Sequence, residues 1–239
     1  MPGLPALLQL ADSALPTGAF SNSFGLEGYL ESGEVASEDQ LLAWLREYLA
    51  VQLALTDAVA IRRACRAVPT PQEAGRSGAA ARNREADLAA LDAELSALLV
   101  PRQIREASTR MGRRLLEIAA DAFPSCAADA YAGSVRAGAC AGHFVLAFAV
   151  AGAGQGFDEE TLVEAYLHSS LATMVANAVR AIPLGQLAGQ RVLAALGTEI
   201  PAAAERSRTL DEFDFGAAAP ALEIRQMRHE HQHARLFAS

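Results

Sequence analysis

The chain is expected to fold as an all-α, single-domain bundle of roughly eight to ten helices. Three observations predict this. Alanine dominates the 51% of residues that are apolar, aromatic residues make up only 6%, and β-branched residues seldom cluster; that composition favours helix over sheet. A chain of 239 residues is long enough to bury a full hydrophobic core.

Taken in order, Leu7, Leu8, Leu10 and Ala11 sit at helical spacing and read as a short buried helix. Pro16 and Gly18 break it, so Phe20 follows a turn. Ser21 or Asn22 can cap the next helix, which carries Phe24, Leu26, Tyr29 and Leu30 and ends near Gly33. Ser37 with Gln40 forms a capping box. Behind it Leu41, Leu45, Tyr48, Leu49, Gln52, Leu55 and Val59 mark one face of a long helix running to about Ala67, with Trp44 at the edge of that face. Asp57 lies on this helix and is assigned no chemistry.

Pro69 and Pro71 stop the helix, and residues Gly75 to Ala81 read as a loop. Leu88, Leu91, Leu95, Leu98 and Leu99 define the next helix. Pro101 opens another, with Ile104, Met111, Leu115 and Ile118 facing inward and Arg102, Arg105, Arg110, Arg113 and Arg114 forming a solvated face paired with Glu106 and Glu117. The segment Ala137 to Ala153 reads as a buried helix containing His143, too short and glycine-rich to span a bilayer. Asp158 caps a helix carrying Leu162, Leu167, Met174, Val175 and Val179, with His168 at its boundary. Pro183 can start the next, in which Gln186 and Gln190 share a face. Pro201 begins a short helical piece, Phe213, Phe215 and Gly216 suggest a loop anchored by aromatics, and Pro220 opens a tail of poor periodicity. The division expected is residues 1–219 as the helical domain and 220–239 as the tail.

A formal charge of -8 argues against nucleic acid as a partner. All 20 basic residues are arginine, which excludes a Schiff-base lysine and a lysine-bearing phosphate loop. Cys65, Cys126 and Cys140 are too far apart in sequence for a paired-cysteine zinc motif and odd in number for a closed disulfide framework, so a reducing cytoplasm is expected. No basic region precedes a long apolar core at the N-terminus, and no signal peptide is expected. Gly152, Gly154 and Gly156 fail the dinucleotide spacing because Phe157 stands where the third glycine is required. Ser13, Ser21 and Ser23 lack the glycine context of a hydrolase elbow. Neither an enzymatic activity nor a cofactor is expected.

Three separated stretches resemble the urease accessory protein F family. Leu7 to Leu10, Ala14 to Pro16, Gly18, Phe20, Ser21 and Gly25 to Glu27 match its N-terminal signature. Arg180, Pro183 to Gln186 and Gly189 to Arg191 match a second motif, from which Leu187 and Ala188 depart. Met227 to Glu230, Gln232, Arg235 to Phe237 and Ser239 match the family's ending.

The resemblance implies a non-catalytic, homodimeric scaffold that binds the D-type (or H-type) urease accessory protein, recruits the G-type GTPase and acts on apo-urease during nickel insertion. It implies contact residues for the D-type partner in Phe20, Ser21, Gly25, Leu26 and Glu27, and in the tail at Arg228, His229, Glu230, Arg235, Leu236 and Phe237. Arg180, Gln186 and Gln190 are expected on a different surface, facing the GTPase. The tail is expected to be mobile alone and to order on its partner. The alternative is a nickel-binding metallochaperone using His229, His231 and His233, which can share a face on a strand or, for His229 and His233, on a helix.

Overall fold

A computed structural model describes residues 3–69, 78–210, 214–216, 219–233 and 235–239, apart from the side chain of Ala81. Among these residues there is no strand, and twelve α-helices follow one another: α1 (Leu4–Leu10), α2 (Leu26–Glu31), α3 (Glu38–Tyr48), α4 (Ala58–Ala67), α5 (Ala79–Leu98), α6 (Arg102–Ala122), α7 (Cys126–Arg136), α8 (Phe144–Gly154), α9 (Glu159–Ala181), α10 (Gln186–Gly197), α11 (Ile200–Thr209) and α12 (Pro220–His229). The all-α expectation is met. Several of the twelve are short segments of ten residues or fewer, such as α1 and α2.

The bundle is built around α8. Leu146, Ala147, Phe148, Ala149, Val150 and Ala151 are all buried, so this helix is apolar on every side and needs neighbours on every side. Helices α4, α6, α7 and α9 supply them. Small residues let the backbones close in: a Cβ on Gly112 of α6 would stand 2.1 Å from the carbonyl oxygen of Gly142. The expected start of this helix at Ala137 is corrected, since Gly138 and Gly142 take positive φ (76° and 86°) and α8 begins only at Phe144.

Caps fall where the sequence places them in two cases. Ser37 Oγ accepts the Gln40 N–H at 3.3 Å while the Gln40 amide oxygen accepts the Ala36 N–H at 3.0 Å, and Asp158 accepts the Thr161 N–H at 2.9 Å. Elsewhere the boundaries shift. Helix α2 is entered through Gly25 at φ 97°, with no side-chain cap from Ser21 or Asn22; α5 begins at Ala79, inside the expected loop; and α10 begins at Gln186, three residues beyond Pro183. Pro71, Gly75 and Phe213 lie outside the described residues. Phe215 is buried beneath the Arg63 guanidinium, 4.8 Å from its ring.

The long helix expected from Ser37 to Ala67 does end there, but Leu49–Asp57 is wound as a π-helix between α3 and α4. Wider winding changes which residues face inward: beyond Leu49, burial passes to Leu53, Ala54 and Thr56, leaving Gln52 and Leu55 partly exposed. Two isolated charges are taken inside with partners. Arg62, 2% exposed, pairs with Glu159 and Glu160 at 3.2 and 2.7 Å and donates to Ser207 Oγ and the Ala204 carbonyl. Asp92 accepts the Tyr131 hydroxyl and the N–H groups of Ala141 and Gly142, which fixes the turn before α8.

Candidate functional site

The N-terminal signature and the tail meet. Gly18 at φ 88° starts a 3-10 turn, Ala19–Ser21, which brings Asn22 and Ser23 inside. Phe24 has the one positive φ (52°) of any non-glycine residue described, and Gly25 follows it into α2. The bend sets the α2 backbone against α12: a Cβ on Gly25 would meet Gln226 Cγ at 2.7 Å and Leu222 Cδ1 at 2.8 Å. Gln226 donates its amide to the Phe24 carbonyl at 2.9 Å, and Arg225 donates to the Gly28 carbonyl at 3.0 Å while pairing with Glu34 and lying over the Tyr29 ring.

Glu27 ties the tail down. Its buried carboxylate accepts the backbone N–H groups of Leu236 at 2.6 Å and Phe237 at 3.1 Å, and lies 2.8 Å from His229 Nε2. The other ring nitrogen of His229 lies 2.8 Å from Gln103 Oε1, so both sides of this buried imidazole are occupied. Beyond it the last residues run beside the 3-10 turn. Ala238 donates to the Ser21 carbonyl at 2.7 Å, the Ser239 backbone oxygen accepts from Ser23 N–H, Phe24 N–H and Ser23 Oγ, and Ser239 Oγ donates to Asn22 Oδ1. Asn177 of α9 fixes the same turn by donating to the Asn22 carbonyl at 2.8 Å. The tail expected to be free is docked on the body along its described length.

Arg180 belongs here too. Its guanidinium donates to the Phe20 carbonyl at 3.1 Å and lies 5.4 Å from the centre of the Phe237 ring, a cation–π contact. The expected separation of Arg180 from the N-terminal surface is therefore corrected. Gln186 and Gln190 are exposed on α10 beside Leu187, which is 76% open to solvent.

What remains exposed is an apolar rim on a polar frame. Phe20 and Leu236 are 59% and 67% exposed; Arg228 and Arg235 are exposed, and Glu230 is half-buried and paired with Arg102 at 3.2 Å. Leu26, Glu27, His229 and Phe237 are buried and act by building the surface, as do Ser21 and Gly25. His231 and His233 are exposed, separated from His229 by its burial. Among the described residues, no group of three or more His, Cys, Asp or Glu side chains is placed to hold a metal ion. His143 is buried between Ser96 and Ser108, one on each ring nitrogen, and burial holds it below the usual histidine range; His168 is exposed.

Beneath this surface lies a cavity of about 90 Å³, roofed by Ser13, Leu15, Thr17, Phe24 and Gln226 and floored by Tyr48, Asp57 and Tyr166. Asp57 turns its open surface into it. The Tyr166 hydroxyl donates to Asp57 at 3.2 Å, yet burial dominates and pushes the carboxyl up to about 7. Nothing in the sequence pattern marks Asp57, because it falls on the π-wound stretch where helical phase is lost.

Comparison with known proteins finds sequence relatives across nearly the whole chain. The family model UreF matches residues 35–197. A urease accessory protein UreF from Arthrobacter sp. (strain FB24) is 47% identical over 234 residues, covering 98% of this chain and 96% of the relative. Others named the same way, from Paenarthrobacter aurescens (strain TC1) and Bacillus sp. (strain TB-90), are 45% and 33% identical over 98% and 99% of this chain and 97% and 99% of theirs.

Proposed function

The chain belongs to the UreF family of urease accessory proteins, and from that premise we propose that it is a non-catalytic, homodimeric scaffold in urease maturation. It binds the D-type (or H-type) accessory protein, recruits the G-type GTPase, and in that assembly serves nickel insertion into apo-urease. The observation that carries this reading is the single surface made where the Ala19–Ser21 turn and α2 meet α12 and the segment from Leu236 to Ser239, with Phe20 and Leu236 open at its rim and Glu27, Arg180, His229 and Phe237 holding it in shape. An exposed apolar rim over a rigid hydrogen-bonded frame is the kind of surface that anchors a partner.

The D-type partner is assigned to this surface. Gln186 and Gln190, with Leu187 between them, are assigned to the GTPase side, and Arg180 to the frame. A scaffold of this kind orders assembly through the differential affinity of one partner for the surface another has fixed, with no reacting group required.

Co-purification of this chain with the D-type protein of its own organism tests the reading. Phe20→Asp with Leu236→Asp places two charges on the rim without touching the frame, and capture is expected to fall at least about tenfold while the helical circular dichroism is kept. Failure of the native chain to bind, or full retention by the double variant, would overturn it. Gln186→Ala with Gln190→Ala is expected to weaken recruitment of the GTPase and leave D-type binding unchanged.

A further inference from the structure

On another side of α3 lies an open groove of about 590 Å³, walled by Tyr29, Trp44 and Tyr48 and edged by Glu34 and Glu47. Its aromatic wall is continuous. The Trp44 and Tyr48 rings stack with centroids 5.2 Å apart and planes 11° from parallel, and Tyr29 tilts against Trp44 at 5.6 Å. The base of α12, from Ala219 to Leu222, closes the opposite side.

One end of the groove already displays a mode of recognition. The Arg225 guanidinium lies 4.9 Å from the Tyr29 ring centre while its Nη2 pairs with Glu34; an aromatic face and a carboxylate together satisfy the flat cation. The other end repeats the chemistry without the cation. Trp44, half-buried and backed by the buried Tyr48 ring, offers the aromatic face, and Glu47 is exposed and makes no ion pair among the described residues.

We propose that this groove is a docking site for an arginine-bearing segment of a partner protein, its guanidinium seated on the Trp44 face against Glu47 and its apolar neighbours along the aromatic wall. Charge complementarity selects this occupant: a purely apolar segment would leave Glu47 unused, and an acidic one would meet its uncompensated carboxylate. Arginine fits better than lysine because its planar group stacks and hydrogen-bonds at once.

Trp44 is the only tryptophan in the chain, so its fluorescence reports on the groove. The full-length protein would be titrated with a blocked ten-residue peptide of leucine, alanine and one arginine, free of aromatic residues. The comparison is the same peptide with citrulline, which keeps the shape and removes the charge. A saturable change is expected, with the arginine peptide bound about 3- to 10-fold more tightly, an advantage reduced by high salt. Glu47→Gln is expected to bring the two peptides within about twofold, a readout that loss of folding would not give. Equal binding of both peptides by the native protein, or no response to either, would overturn the proposal. So would binding of blocked single arginine as tightly as the peptide, which would mark a small-cation site, or loss of peptide binding on concentration-dependent self-association, which would give the groove to a second copy.

Discussion

At Glu27, one carboxylate accepts two backbone N–H groups of the tail and faces the His229 imidazole. Replacing it with glutamine keeps the volume but turns an amide NH2 toward groups that are themselves donors. An unmet buried donor costs about 1–3 kcal/mol, so Glu27→Gln is expected to raise the hydrogen-exchange rates of the Leu236 and Phe237 amides roughly 5- to 150-fold, leaving those of α8 unchanged. Asp57 gives a second prediction. Its folded value of about 7 stands above the ordinary 3.8, so the folded chain holds a proton that the unfolded chain releases between those values. Its contribution therefore weakens the fold as pH rises from about 4 to 7, and the penalty is fully developed above 7. Asp57→Asn is expected to remove this slope and to gain roughly 2–4 kcal/mol relative to native at pH 8 but little at pH 4, measured by urea unfolding.

Among the elements, those legible in the sequence were the ones whose signals are local. Ser37 with Gln40 and Asp158 with Thr161 are capping contacts made within three residues, and the start of α12 at Pro220 follows from proline's tolerance of a first turn. What escaped is non-local. The π-wound stretch Leu49–Asp57 obeys no helical period, and the late start of α8 depends on Gly138 and Gly142 bending the chain under the clamp of Asp92, which lies about fifty positions earlier. Of the candidate site, the residues around Phe20 and Leu236 were readable from the family resemblance. Their junction through Glu27, and the transfer of Arg180 to the same surface, were not, since poor periodicity in the tail hides a segment stabilised by contacts with α2 rather than by its own amphipathic face. Packing also sets a prediction here: Gly112→Ala drives a methyl group to 2.1 Å from the Gly142 carbonyl oxygen. Backbone must yield, and a loss of about 1–3 kcal/mol in thermal unfolding is expected, larger than for alanine at Gly197, which has open space around it.

For the whole molecule, α8 and the helices around it form a closed core, while the candidate surface is assembled at its edge from segments that are remote in sequence. Among the described residues no helix is long and apolar enough to cross a membrane. The cavity floored by Asp57 lies directly below the 12–24 segment and Gln226 of α12, so docking at the surface and the environment of Asp57 share walls. Gly25→Ala, strained at φ 97° and crowded against Gln226 and Leu222, is expected to loosen both together: faster proteolysis near α12 and a lowered Asp57 pKa as water enters. Unchanged proteolysis with an intact fold would show that α12 does not depend on that close approach.

The pairing of Glu27 with Leu236 and Phe237 joins positions 209 and 210 residues apart. A contact across so long a loop carries a closure entropy that must be met before the contact gives anything back. The helices packed around α8 meet it, by bringing the two segments together. The surface is therefore a late product of folding, and it reports on the integrity of the bundle that lies between its two halves.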